Sequence, residues 1–361
     1  MGAALRWRFI GTPLSYFSAK IRPLLRYKRI AYTEIDPDMS AYMSTIIPRT
    51  GVAFIPVVMT DRDEVLQDTP RIIDRIEQLV PAPAVIPADA VARTVAEIIQ
   101  DFADEALILP AMHFRWSFPE QRAWIVRDWT RHMGPEAVKM TERMSGSLPM
   151  LGITDKTRAA IDGWYGHLLN LLDAHLAQHR FLLGDRLTLA DLGMIGPFYP
   201  HLGRDPIPAA RMRQRAPRVA AWVGDVNDAA TPETDDFEPV VADSLAPLLR
   251  EIATVFLPMQ EVSHAFVTNA LSDKADGEQI ERALGMIDTP ILGLTEKRMV
   301  NVYSSWRRER TARRYRALDG AERKRVDAAL EPVGLLPYVV ESSGARVAMD
   351  GFKLVVGEPG S

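Results

Sequence analysis

The stretch from Phe54 to Leu79 constrains this chain more than any other. Phe54-Ile55-Pro56-Val57-Val58 is an apolar, β-branched run broken by one proline. Proline cannot donate to a ladder, so it belongs at the first position of a strand or at an edge. An X-Pro bond is also where a cis peptide costs least. Thr60-Asp61-Arg62-Asp63 then gives a polar turn, and Glu64-Val65-Leu66 a second short strand. Asp68-Thr69-Pro70 reads as a helix start, with a capping side chain and then proline where a missing N–H costs nothing. Ile72, Ile73, Ile76 and Leu79 follow at helical spacing.

Strand, hairpin, polar cap and amphipathic helix make the second half of a thioredoxin-like α/β domain. The first half is read upstream. A short strand over 5–10 leads to the turn Gly11-Thr12-Pro13-Leu14, a helix carrying Ile21, Leu24, Leu25 and Tyr27, and a strand over 31–35. A parallel βαβ unit is the natural reading.

At 361 residues the chain is long enough for two or three domains. The proline-rich segment Pro81-Ala82-Pro83-Ala84-Val85-Ile86-Pro87 separates two composition regimes. Beyond it, residues 88–113, 118–145 and 155–179 carry apolar positions at three- and four-residue spacing, which predicts helices. Thr231 to Pro239 is acidic with two prolines and reads as a linker. The expected division is 1–80, a thioredoxin-like domain; 88–230, an all-helical domain; and 235–361, a mainly helical extension. Within the extension, helices are expected over 241–271, 275–287 and 297–319, with a hairpin turning at Asp350-Gly351.

Composition removes several classes of function. There is no cysteine, which rules out disulfides, thiolate metal sites and any mechanism needing a protein thiol. A net charge of -4 gives no reason to expect a nucleic-acid partner. No apolar run approaches the roughly 20 residues of a membrane span. Met1-Gly-Ala-Ala-Leu-Arg-Trp-Arg has no apolar leader core, so a cytoplasmic protein without a membrane partner is expected.

Phe181-Leu182-Leu183-Gly184-Asp185-Arg186-Leu187-Thr188-Leu189-Ala190-Asp191-Leu192 is the most specific stretch. Thr188 and Asp191 are spaced as a capping box, bracketed by Leu187 and Leu192. It closely resembles the Leu-x-Gly-Asp-x-x-Ser/Thr-x-Ala-Asp signature of the glutathione S-transferase superfamily's helical domain. Ile55-Pro56-Val57 and Asp68-Thr69 resemble the family's Val-Pro-Val and Glu-Ser elements. Thr12-Pro13-Leu14-Ser15-Tyr16-Phe17-Ser18-Ala19-Lys20-Ile21-Arg22 resembles its active-site loop and first helix, and Pro217 to Trp222 its last common helix. The resemblance spans residues 5–228.

The resemblance implies a glutathione site. Ser15, at the helix start, would donate its hydroxyl to the glutathione thiolate, with Ser18 and Tyr16 as further candidates. Ile55, before Pro56, would present main-chain groups to the cysteinyl part as an added strand. Asp68 and Thr69 would hold the γ-glutamyl end. The family often has lysine two residues before its proline; this chain has Phe54, and Arg49 is the candidate for the glycyl carboxylate. A hydrogen bond to a charged group is worth ~1.5–3 kcal/mol, about one to two units of thiol pKa. That is enough to populate the thiolate at neutral pH, so the bound co-substrate rather than the protein is the nucleophile.

The second substrate, a hydrophobic electrophile, is expected between the domains at Met112, His113, Phe114 and Trp116. Conjugation, ether cleavage, dehalogenation and isomerisation all use the same thiolate. The resemblance also implies a homodimer, with no metal. A non-catalytic ligand-binding or interaction scaffold on the same fold is the alternative. His175 and His179 lie four apart without a third ligand, so a solvated helix face is preferred to a metal site. Lys297 to Arg325 holds eleven basic residues against three acidic ones, and a helix docked on its own protein with arginines facing water is expected.

Overall fold

A computed structural model describes residues 6–232, 237–342 and 344–357. Leu5, the start of the chain and residues 233–236 of the expected linker lie outside the described residues.

The first domain is a four-stranded mixed sheet with helices. β1 (Trp7–Ile10) feeds α1 (Ser18–Tyr27), which returns to β2 (Tyr32–Ile35). After α2 (Met39–Ala41) and α3 (Ile47–Thr50), β3 (Val57–Met59) and β4 (Val65–Gln67) form the hairpin that precedes α4 (Thr69–Leu79). The strand order is β2-β1-β3-β4. β1 runs parallel to β2 and antiparallel to β3, with Phe9 opposite Val58. Ile21, Leu24 and Leu25 of α1 and Ile72, Ile73 and Ile76 of α4 are buried in the same core as Phe9 and Val58. This is the thioredoxin-like arrangement expected from the strand-hairpin-helix pattern. The Ile55-Pro56 bond is cis, as is Ala82-Pro83.

The second domain is all-helical: α5 (Ala90–Glu105), α6 (Ile108–Trp116), α7 (Pro119–Met133), α8 (Glu136–Gly146), α9 (Arg158–His175), α10 (Leu189–Pro197), α11 (Pro206–Arg215) and α12 (Pro217–Asp228). The expected helix over 118–145 is broken at Gly134, whose positive φ of 59° ends α7, and Pro135 starts the next helix. The capping box forms: the Thr188 N–H and hydroxyl both donate to Asp191 Oδ2 at 2.9 Å. The other oxygen of Asp191 accepts from the Leu182 N–H and Trp222 Nε1, each at 3.0 Å. Asp191 is fully buried, so one carboxylate ties the loop, the helix start and α12 together.

The extension contains α13 (Ala246–Ala270), the hairpin β5 (Ala283–Ile291) and β6 (Leu294–Asn301), α14 (Val302–Ala317), α15 (Gly320–Leu330), α16 (Leu336–Val340) and the hairpin β7 (Val347–Asp350) and β8 (Lys353–Val356). The hairpin at Asp350-Gly351 is the one expected. The helix expected over 275–287 is instead turn and loop over 275–282 followed by the start of β5, and α14 starts at 302 rather than 297. The missed signal is Leu292-Gly293, both at positive φ, the two-residue turn that lets antiparallel strands close.

Leu248, Ile252 and Phe256 of α13 join the core of the other domains, with Phe256 edge-on to Phe102 of α5. A second, smaller core of Val267, Ile280, Val300, Trp306, Val347 and Leu354 belongs to the extension itself. Among the described residues, no helix is long and apolar enough to cross a membrane.

Candidate functional site

β1 delivers the chain into the loop that carries the three expected hydroxyls. The loop turns tightly: a Cβ on Gly11 would lie 2.7 Å from Phe9 Cζ and 2.8 Å from Ser18 Oγ, so only glycine fits. Ser18 is fully buried and its Oγ accepts from the Thr12 N–H at 3.3 Å. Tyr16 is also buried, its ring edge-on to His201 and its hydroxyl donating to the Ala103 carbonyl in α5. Burial, then the Asp104 and Glu105 charges, push the Tyr16 phenol well above its usual range. Both side chains are buried and hold the loop in place.

Ser15 differs. It is half-buried, and its Oγ accepts from the Ser18 N–H at 3.2 Å. Accepting that bond uses an oxygen lone pair and leaves the hydroxyl proton free to donate. Capping and thiolate binding are therefore compatible in one side chain.

The second domain fixes the loop from behind. Arg115 Nη1 donates to the Leu14 carbonyl at 3.1 Å. The same guanidinium makes a two-point pair with Asp205, Nε–Oδ2 at 2.8 Å and Nη2–Oδ1 at 2.9 Å, with both side chains buried. Sequence reading passed over Arg115 because a lone arginine in an apolar helix gives no pattern.

Along the sheet edge, Ile55 and Pro56 precede β3, and Gln67 Nε2 donates to the Phe54 carbonyl at 2.8 Å, pinning the loop to β4. Asp68 stands before α4 at φ 67°. Its side chain makes no capping bond, contrary to the expected N-cap, because the carboxylate turns to another partner. Thr69 opens the helix and is buried. Arg49 does not reach this edge. Its guanidinium binds Asp63 on the β3–β4 turn, at 3.0 Å to the carboxylate and 2.9 Å to the carbonyl.

The partner of Asp68 comes from the extension. Arg282 Nη2 lies 3.0 and 2.9 Å from the two Asp68 oxygens. Its guanidinium sits between the rings of Phe54, at 4.7 Å, and Tyr303, at 4.8 Å. Arg71 at the start of α4 donates to the Gly351 carbonyl of the terminal hairpin.

Behind this edge, α14 is held by charge. Arg307 is buried and paired with Asp101, Asp104 and Glu105 of α5. Lys20 of α1 is buried on Asp104, and burial lowers its pKa against the pull of that carboxylate. Arg310 pairs with Asp74, and Arg314 with both Asp74 and Glu97. The basic run is thus docked on its own protein: Arg307 is buried against acids, whereas Arg314 is paired and still partly exposed, and Arg316, Arg323, Lys324 and Arg325 face water as expected. The sequence counted the charges without showing that their partners lie some 200 residues earlier.

The four residues expected to line the electrophile pocket lie in the helical core. Met112, His113, Phe114 and Trp116 are all buried. Phe114 packs edge-on to Tyr165 and stacks on Phe118, and Trp116 packs against Trp129. His113 Nδ1 pairs with Ser117 Oγ at 2.9 Å, and burial pushes its pKa down to about 4. These four fill the helical bundle because α6 is wrapped by α7, α9 and the π-helical turn over 198–202. His175 is likewise buried, bonded to Ser244 and the Leu182 carbonyl, so it does not belong to the solvated face expected for it. A cavity of about 500 Å³ lies away from the Ser15 edge, lined by Val85, Arg186, Phe237 and Arg325 among others.

Comparison with known proteins returns two families. Residues 9–84 match the glutathione S-transferase N-terminal domain, and residues 163–228 the glutathione S-transferase C-terminal domain. No curated protein matches the chain. Similar solved structures include a glutathione S-transferase from Rhodospirillum rubrum F11, 16% identical, covering 66% of this chain and 99% of that one at a TM-score of 0.43. The beta-etherase LigF from Sphingobium sp. strain SYK-6 is 17% identical, covering 61% and 94% at 0.45. Glutathione transferase GSTFuA3 from Phanerochaete chrysosporium is 16% identical, covering 64% and 100% at 0.47.

Proposed function

We propose, from the premise that this chain is a member of the glutathione S-transferase superfamily, that it is a cytoplasmic glutathione transferase of the serine type. Its bound glutathione thiolate attacks a hydrophobic electrophile. The observation that carries this reading is Ser15, a half-buried hydroxyl whose oxygen accepts from the Ser18 N–H and whose proton has no acceptor among the described residues.

Glutathione supplies the thiol. Ser15 then hydrogen-bonds the thiolate in preference to the thiol, lowering its pKa by about one to two units. The N-terminus of α1 adds positive potential at the same place. Main-chain groups of Ile55 orient the cysteinyl portion, and Asp68 with the Thr69 amide take the γ-glutamyl ammonium and carboxylate. We assign glutathione binding to residues 1–80, the electrophile to their junction with the helical domain of 88–230, and a completing role to 235–361. The burial of Met112, His113, Phe114 and Trp116 moves the electrophile away from α6 and toward the face beside Ser15 and the half-exposed Phe17.

The test is thiol consumption by purified protein against aryl halides, β-aryl ethers and unsaturated ketones, with Ser15→Ala beside it. Turnover that falls in the variant supports the reading; no turnover with any class removes it. A homodimer is part of the proposal, checked by light scattering. A monomeric mass would show that the extension, which bridges both domains within one chain, stands in for a partner.

A second reading, a non-catalytic GST-fold ligand-binding scaffold, is favoured by one observation: Arg282 already sits on Asp68. It predicts ligand binding without thiol chemistry.

A further inference from the structure

The extension brings more than cover to the γ-glutamyl end. The main chain of Arg282 is anchored to the start of α14, where its carbonyl accepts from the Val302 N–H at 2.9 Å. Its guanidinium is clamped between Phe54 and Tyr303, an arrangement that suits the planar guanidinium and not an ammonium. One nitrogen, Nη2, faces Asp68; among the described residues the Nε and Nη1 edge makes no hydrogen bond. Beside it, Tyr303 is 8% exposed. Its hydroxyl is buried, has no partner among the described residues and lies within the electrostatic reach of Asp68. A buried polar group is ordinarily satisfied by protein, water or ligand.

We propose that Arg282 is a specificity residue, contributed by the extension, that reads the α-carboxylate of an amino-acid-ended ligand, with the Tyr303 hydroxyl as a second donor. The proposal rests on the glutathione reading above. An α-amino acid end carries an ammonium and a carboxylate on one carbon, the complement of the Asp68–Arg282 pair. Inserted across that pair, the ammonium takes Asp68 and the carboxylate takes the open edge of Arg282. One ion pair becomes two, with no charge left unpaired. The substrate class is then γ-glutamyl thiols with a free α-carboxylate, and thiols whose amino-acid end is decarboxylated or amidated are discriminated against. Arg282 thereby adds a cationic side chain to the carboxylate contact of the Thr69 amide; Arg49, the basic candidate from 1–80, is bound to Asp63.

The experiment is calorimetric titration of the full chain and of Arg282→Gln with two probes. One is glutathione; the other is γ-aminobutyryl-cysteinylglycine, which keeps the ammonium and lacks the α-carboxylate. Loss of a charge-assisted hydrogen bond predicts a glutathione affinity weakened about tenfold or more in the variant, with the decarboxylated probe changed less than about twofold. Tyr303→Phe is expected to weaken glutathione alone, by a smaller factor. Equal losses for both probes would make Arg282 a structural residue, and tighter glutathione binding in Arg282→Gln would make it a plug; either overturns the inference while the transferase reading stands. No glutathione binding by the unaltered chain overturns both. If Arg282→Gln does not fold, Arg282→Lys replaces it. Retaining charge without the fork, it is expected to narrow the preference for glutathione over the decarboxylated probe. An unchanged preference overturns the inference.

Discussion

Asp68 and Arg282 are 214 positions apart in the chain and 2.9 Å apart in space. The acid before α4 therefore belongs to the first domain by sequence and to the extension by contact. Asp68→Asn removes the carboxylate that takes a ligand ammonium. We expect glutathione to bind about tenfold more weakly or worse, with the maximal rate of thiol chemistry little changed. Titration beside steady-state kinetics checks this, and a fall in maximal rate with intact affinity contradicts it.

Ser15→Ala deletes a hydroxyl whose oxygen caps one amide. The fold is expected to survive, with a stability loss of about 1 kcal/mol. The thiol of bound glutathione should rise by about one to two pKa units, read from the ultraviolet absorbance of the thiolate against pH. An unchanged thiol pKa would take Ser15 out of its role.

Tyr16→Phe makes the opposite expectation. The Tyr16 hydroxyl satisfies the Ala103 carbonyl, so its removal should cost about 1 kcal/mol in urea unfolding and leave the bound thiol pKa unmoved. A raised thiol pKa in this variant would return Tyr16 to the chemistry.

The contrast among these three hydroxyls shows how far the sequence reached. The order Ile55-Pro56, Asp68-Thr69 and Thr188-x-x-Asp191 is local, and local spacing encodes turns, caps and helix starts. The thioredoxin-like sheet and the helical domain were legible for that reason. Which of Ser15, Tyr16 and Ser18 faces outward depends on Ala103, Phe9 and the loop's approach to α5, which are not neighbours in sequence. The same holds for Arg282 and Arg307. Their partners at Asp68 and Asp101–Glu105 lie far upstream, and a run of arginines reads as a solvated face until those acids are placed. Met112, His113, Phe114 and Trp116 are buried in the core, and in sequence an apolar stretch looks alike in a pocket wall and in a core.

Arg307 tests whether the extension is integral. It is buried against Asp101, Asp104 and Glu105. Arg307→Met leaves these acids short of a cation, and breaking a buried pair from one side costs about 3–5 kcal/mol. Urea unfolding should show that loss. A change under 1 kcal/mol would mean that the charges are satisfied by water.

His113 gives a pH signature. Its folded pKa of about 4, depressed by burial, lies below the ordinary value of about 6.5. Between these values the unfolded chain binds the extra proton, so stability rises with pH across about 4 to 6.5. The contribution is complete above the upper value and lost as pH falls toward the lower one. His113→Gln should remove up to about 3 kcal/mol of that dependence. Identical pH profiles for the two proteins would contradict the burial of a neutral imidazole.

The central claim is a glutathione site at Ser15, Ile55 and Asp68, and its most direct measurement is calorimetric titration of the purified chain with reduced glutathione beside an analogue lacking the thiol. The account predicts saturable binding of both, at up to millimolar affinity, with proton release in slightly alkaline buffer for the thiol-bearing ligand alone. No heat from either ligand, in protein whose unfolding is cooperative, would contradict it.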